Sequence, residues 1–361
     1  MTEQDFDAIY SFAKSAGWEM SYDLNLLYRN NSQWNSSNAV MLLEYAASTG
    51  QVIDLELGNE PNLYQFTKHV DPAQIGRDYV HLRALMNTMP PFNTRRLIGP
   101  SVTHAFTADY AAKFLSTGST SVDVFSIHHY YSSGPALTPQ DMINPTVLDS
   151  ITDTLNKARD AVSKYSRGTH TVWLGETGLA YSRSAPNTTG YIAGFMWLDK
   201  IGMAATHGVS LLARQSFPSF YDENETPTPE YWLTLLFKRL MGRRVLEVTS
   251  TEGNHFFRMY AHCSLNHPGG VAFYFLNIYS SDVELTIPSF TSHSYELFSL
   301  SAGGNGTMST SIVNLNGHPV TMDGDNLPEL SPVTSQTWPV VIPKFTYGFL
   351  VLPDAYVMAC R

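Results

Sequence analysis

The sequence predicts an α/β chain: a (β/α)8 TIM-type barrel with N-terminal strands missing from this chain, followed by a C-terminal β-sandwich. Three observations carry this. The first two-thirds alternates short apolar runs with helical patterns. Polar residues gather just after several of those runs. The last third is strand-like throughout.

The strand candidates of the first part lie at 19–27, 52–57, 96–102, 122–128, 171–175 and 209–217. Each is short and rich in branched or aromatic residues. Helical patterns occupy 37–48, 72–86, 108–115, 146–165, 189–206 and 229–240, between them. This rhythm reads as parallel βα units. A closed barrel of this type has eight strands. The rhythm stops near residue 241, so the shortfall falls on the N-terminal side. Beyond that point, strand-like segments at 256–262, 271–279, 283–287, 295–300 and 345–352 are separated by Gly, Pro, Asn and Asp. That pattern is a β-sandwich. The expected division is therefore a catalytic domain over 1–241 and a sandwich over 242–361.

Composition excludes some functions. Lys and Arg total 22 against 32 Asp and Glu, a net charge of −10, which argues against nucleic acid as a partner. No apolar stretch is long enough to span a membrane. The start, MTEQDFDAIY, has no basic segment followed by an apolar one, so no signal peptide is visible. Five sequons begin at Asn30, Asn35, Asn187, Asn224 and Asn305, which points to a secreted or lysosomal protein whose N-terminus lies outside this sequence.

The chemistry is concentrated in two motifs. Gly58-Asn59-Glu60-Pro61 follows the apolar run 52–57, and Trp173-Leu174-Gly175-Glu176-Thr177 sits at another strand end. A glutamate ending a buried strand is costly unless it faces a polar cleft. In a barrel, two such glutamates converge near the axis. Retaining glycosidases need two carboxyls roughly 5 Å apart, one protonated and one ionised. Glu60 and Glu176 are 116 positions apart, which fits three βα units of about 40 residues. With two strands missing ahead of the chain, they occupy strands four and seven. That arrangement resembles the barrel glycosidases in which an Asn-Glu pair after strand four supplies the acid/base and strand seven ends in the nucleophile. Neither a metal nor a cofactor is called for, and the adjacent His128 and His129 make no metal signature; they read as one buried and one exposed histidine.

Further segments carry a more specific resemblance. Gln33-Trp34-Asn35-Ser36-Ser37-Asn38, Glu56-Leu57-Gly58-Asn59-Glu60-Pro61, His128-His129-Tyr130-Tyr131, Trp173-Leu174-Gly175-Glu176-Thr177, Gly194-Phe195-Met196-Trp197-Leu198-Asp199-Lys200 and Tyr231-Trp232-Leu233-Thr234-Leu235-Leu236-Phe237-Lys238 resemble glycoside hydrolase family 79. That family holds heparanase-type endo-β-glucuronidases and leech-type hyaluronidases. The resemblance covers nearly the whole chain and implies a barrel with a β-sandwich. It makes Glu60 the acid/base, Glu176 the nucleophile and Asn59 a sugar contact. His128, Tyr130 and Gln215 become cleft residues that bind substrate. Cys263 and Cys360 correspond to a family disulfide. It also implies a glycosaminoglycan substrate, with heparan sulfate first, and an associated N-terminal light-chain segment that completes the barrel.

The chain departs from the family pattern in places. The stretch 103–113, basic in heparanase-type members, holds one Lys here. An Arg expected after Tyr131 is replaced around Ser133-Gly134-Pro135. The glycine-rich turn that cradles the uronate carboxylate appears as Ser182-Arg183-Ser184, where Arg183 supplies charge instead. The loop from Gln215 to Asp222 is short, and Tyr221 stands in for a missing tyrosine. These changes leave hyaluronan open as the alternative substrate. A truncated, non-catalytic glycan-binding homologue is the reading from another class. The cluster Lys238-Arg239 with Arg243-Arg244 reads as a solvated helix end.

Overall fold

The computed structural model describes residues 2–66, 70–166, 170–181, 188–216, 220–222, 224–250 and 255–361. The chain divides into two compact units. The first comprises 1–129, 153–177 and 208–213; the second comprises 130–152, 178–207 and 214–361. The expected boundary at 241/242 lies inside the second.

The first unit is built on six parallel strands. They are β1 (Ser21–Leu24), β2 (Asp54–Leu57), β3 (Leu97–Thr103), β4 (Val124–His129), β5 (Thr171–Thr177) and β6 (Val209–Arg214), paired in sequence order. The unit also holds helices α1 (Glu3–Ser15), α2 (Ser37–Ser48), α3 (Pro72–Thr88), α4 (Ala108–Gly118) and most of α5 (Ile151–Tyr165). This is the sheet of a (β/α)8-type barrel, and its rhythm is the one the sequence shows. Helix α1 was not anticipated; Thr2 and Asp5 cap it reciprocally. The pattern over 146–165 is two helices, with a short one at Pro145–Asp149 before α5.

Strand β2 is pinned by α3. Tyr79, fully buried, places its hydroxyl 3.2 Å from both Leu57 N and Leu57 O, and 3.2 Å from Ile98 O. The ring reaches the sheet because Gly99 has no side chain: a Cβ there would lie 2.0 Å from Tyr79 Oη. At the start of β2, buried Asp54 accepts from Arg96 Nε at 2.6 Å and forms an ion pair with Arg95, whose Nε lies 2.9 Å away. The opposite strand ends are thereby left for chemistry.

In the second unit, α6 (Ala193–Thr206) and α7 (Pro229–Leu240) accompany antiparallel strands β7 (Met241–Leu246), β8 (Phe257–Ser264), β9 (Val271–Asn277), β10 (Val283–Leu285), β11 (Tyr295–Ala302), β12 (Val313–Leu315), β13 (His318–Pro319), β14 (Val333–Ser335), β15 (Val340–Ile342) and β16 (Thr346–Leu352). The large sheet runs β13-β12-β11-β16-β9-β8-β7, with β14 on β11; β10 pairs with β15. Phe273, Phe275 and Leu350 on one face of the large sheet pack with Leu285, Val340 and Ile342 of the small pair, forming the sandwich core. On the other face, Tyr347 stacks on Tyr191 at 4.6 Å and meets Phe195 edge-on at 4.8 Å. Gly194 and Gly202 leave room for Tyr347 and Tyr260. Cys263 and Cys360 are joined as a disulfide, 97 positions apart.

The basic cluster differs from its reading as a helix end. Lys238 and Arg239 end α7, but Arg243 and Arg244 lie on β7, an exposed strand at the sheet edge. Charge on an edge strand discourages pairing with another chain.

Candidate active site

Glu60 stands three residues beyond β2, in a turn the backbone has to force. Gly58 takes φ +85°, and a Cβ there would meet Leu26 Cβ at 2.6 Å, so only glycine fits. Glu60 itself has φ +52°, a left-handed conformation that costs a non-glycine residue about 1–3 kcal/mol. Its N–H donates to the Ser101 carbonyl at 3.0 Å. Asn62 holds the other side of the turn: its amide donates to Thr103 Oγ1 at 2.7 Å, and its oxygen accepts from Thr103 N–H at 3.0 Å. Pro61 then opens a 3-10 helix over Pro61–Phe66, where its fixed φ suits the first position.

Glu176 and His128 face each other across β4 and β5 as register partners, after a bulge at Ile127/His128. Gly175 precedes the glutamate because a Cβ there would lie 2.2 Å from Ser126 Oγ. The Thr177 hydroxyl donates to the His129 carbonyl at 2.5 Å, closing the strand ends together.

Three side chains therefore converge. His128 Nδ1 lies 3.1 Å from Glu60 Oε1 and 3.9 Å from Glu176 Oε2. One donor or acceptor atom of each lies within 4.8 Å of the others. The His128 side chain is 4% exposed, while the two glutamates are 25% and 27% exposed. The imidazole is thus fixed in protein and the carboxyls open to solvent. Asn59 is exposed beside Glu60. His129 is buried at 3%, where the sequence suggested one exposed histidine; the all-buried strand β4 extends through it, and its ring meets His104 at 5.9 Å.

Two carboxyls the sequence did not single out lie in the same unit. Glu56 of β2 accepts from Ser101 Oγ at 2.6 Å and from Ser21 Oγ at 3.3 Å. Burial pushes its carboxyl upward; Glu176 adds to the rise, while the hydroxyls and His128 oppose it. Asp23 of β1 is the register partner of Glu56. Burial first, then Glu56, push the Asp23 carboxyl up to about 7, although its surface is still exposed and water screens part of that effect.

The remaining expected site residues belong to the second unit. Tyr130 is buried at 8% and meets Tyr181 edge-on at 6.3 Å. Gln215 is exposed. Its neighbour Arg214 bonds buried Glu230 at 3.1 Å and covers the Trp197 ring at 5.3 Å. Tyr221 packs on Tyr231 at 5.6 Å. Arg183 lies outside the described residues.

Parallel strands of barrel type, with two glutamates and a buried histidine gathered at their carboxyl ends, define a barrel glycoside hydrolase. Comparison with known proteins gives the family. Residues 1–202 match the model of the glycosyl hydrolase family 79 N-terminal domain. The chain is 36% identical to heparanase from Gallus gallus, over all of this chain and 72% of that protein. It is 33% identical to inactive heparanase-2 from Homo sapiens, over 100% of this chain and 66% of that one. It is 28% identical to hyaluronoglucuronidase from Hirudo nipponia, over 100% and 78%. Among solved structures, a 4-O-α-L-rhamnosyl-β-D-glucuronidase from Fusarium oxysporum shares the fold, with a TM-score of 0.70 at 14% identity, covering 96% of this chain and 79% of that one. The chain belongs to glycoside hydrolase family 79.

Proposed function

We propose that this protein is a retaining endo-β-glucuronidase that hydrolyses internal glucuronide bonds of a glycosaminoglycan, with heparan sulfate as the favoured polymer. The observation that carries the reading is the approach of Glu60 and Glu176 to within 4.8 Å at two strand ends. That spacing suits direct attack by one carboxylate rather than by an intervening water. Similarity to heparanase supports the substrate class.

In this mechanism Glu60 gives its proton to the leaving glycosidic oxygen while Glu176 attacks the anomeric carbon. The C–O bond breaks and a glucuronyl ester forms on Glu176. Glu60, now ionised, takes a proton from water, and the water oxygen displaces Glu176 with a second inversion. His128 hydrogen-bonds Glu60 and lies beside Glu176 through both steps. Asn59, Tyr130, Gln215, Arg183 and Tyr221 are proposed to bind sugar, within a catalytic domain over 1–241 and a sandwich over 242–361.

Hyaluronan is the second reading. The net charge is −10, and the one lysine of 103–113, Lys113, is paired with Asp109 at 2.8 Å. A polymer without sulfate needs fewer cations. Three exposed sequon asparagines, Asn30, Asn224 and Asn305, support a secreted or lysosomal glycoprotein. The sheet order runs from β1 to β6 with no pairing between those two strands among the described residues. That supports a light-chain segment completing the barrel.

The test compares heparan sulfate, desulfated heparan and hyaluronan at acidic pH, with product ends identified. Glucuronate at the new reducing end supports the reading; a hexosamine end defeats it. Turnover of hyaluronan alone moves the substrate to the second reading.

A further inference from the structure

Asp23 and Glu56 are not used by the mechanism above, yet both connect to the turn that carries Glu60. They are register partners on neighbouring strands β1 and β2. Asp23 Oδ1 accepts from the Gly58 N–H at 2.6 Å. Glu56 Oε2 accepts from Ser101 Oγ at 2.6 Å, and the Ser101 carbonyl accepts from the Glu60 N–H at 3.0 Å. Gly58, Glu60 and Ser101 all have positive φ, at +85°, +52° and +54°. Gly58 and Glu60 lie in the turn and Ser101 on the neighbouring strand β3, so the turn needs to be held. Here one carboxyl, with the Leu24 carbonyl at 2.9 Å, holds its first residue, and the other, through Ser101, holds its third.

We propose that Asp23 is a positioning residue for the acid/base: with Glu56 it clamps the Gly58–Glu60 turn and so aims the Glu60 carboxyl at the leaving oxygen. This rests on Glu60 acting as the acid/base. Charged and titratable groups that act with the clamp are Tyr22 on β1, Glu56 on β2, Tyr79 on α3, His128 on β4 and Glu176 on β5. Burial and Glu56 push the Asp23 carboxyl upward, and the Gly58 hydrogen bond opposes that push. In its neutral form the carboxyl oxygen still accepts from Gly58, while repulsion across the register pair is relieved.

A positioning role has a signature that simple structural support lacks. Proton donation matters for a poor leaving group and little for a good one. The experiment measures kcat/KM of the full-length protein on β-glucuronides with phenol and with dinitrophenol as leaving groups. For Asp23→Ala the expected loss is about 10-fold or more on the phenyl substrate and under about twofold on the dinitrophenyl substrate, because small displacements of a catalytic group are costly. Asp23→Asn, whose amide oxygen can still accept from Gly58, recovers most of that loss. Should Asp23→Ala fail to fold by thermal melting, Ser101→Ala cuts the Glu56 arm and is expected to show the same split. Equal losses on both substrates, or no loss on either, overturn the clamp. A wild-type protein inactive on both glucuronides and on polymer overturns the proposed function, and the clamp with it.

Discussion

His128 offers a test of how the carboxyl pair is held together. Its Nδ1 lies 3.1 Å from Glu60 and 3.9 Å from Glu176, in a side chain 4% exposed. His128→Ala removes the group between two carboxyls whose oxygens lie within 4.8 Å. In the reactive form Glu60 is protonated and Glu176 ionised, so the imidazole acts on the pair by holding Glu60 in place. Loss of that hydrogen bond removes about 1 kcal/mol, and a displaced acid costs about as much again in aim. Together these predict a fall in kcat/KM of about 10- to 100-fold. The assay is glucuronide hydrolysis by wild type and by His128→Ala and His128→Asn, with melting curves to separate activity from folding. A folded His128→Ala protein that keeps kcat/KM within about twofold would refute the reasoning.

Other outcomes follow from the same structure. Glu60→Ala should spare substrates with good leaving groups and regain turnover with azide, which needs no general base. Carboxyls raised on folding bind protons more tightly in the native state. Their stabilisation is full below the unfolded value near 3.8 and is lost as pH rises through the folded value, about 7 for Asp23. Tm should therefore fall between about pH 4 and 7, and fall less in Asp23→Asn. Cys263 and Cys360 should resist a thiol reagent in denatured, unreduced protein, and Cys360→Ser should lower stability by up to about 4–5 kcal/mol through the loop it opens. Cleavage should be unchanged by EDTA and should depend only mildly on ionic strength.

The barrel strands were legible because each is a short apolar run ending in polar residues; β2 and β5 announce Glu60 and Glu176 by that abrupt change. What brings the two together was not legible. Tyr79 reaches β2 through Gly99, a contact between residues 20 positions apart that no periodicity marks. Glu56 looked like one polar residue within an apolar run, and Asp23 like another. Only strand register shows that both belong to one layer. One of His128 and His129 was expected to be exposed, whereas every residue of β4 is buried. Strands β7, β12, β13, β14 and β15 were missed; apart from β7 they are two or three residues long, and β7 carries Arg243 and Arg244, which suggested a helix end.

The central claim is that Glu176 is the nucleophile of a retaining pair with Glu60. A 2-fluoro glucuronide with a good leaving group slows hydrolysis of the covalent intermediate, so the labelled protein can be weighed intact and its peptides sequenced. The account predicts one glucuronyl adduct per chain, on Glu176, with none in Glu176→Ala. An active protein that forms no adduct, or carries it on another carboxyl, would contradict it.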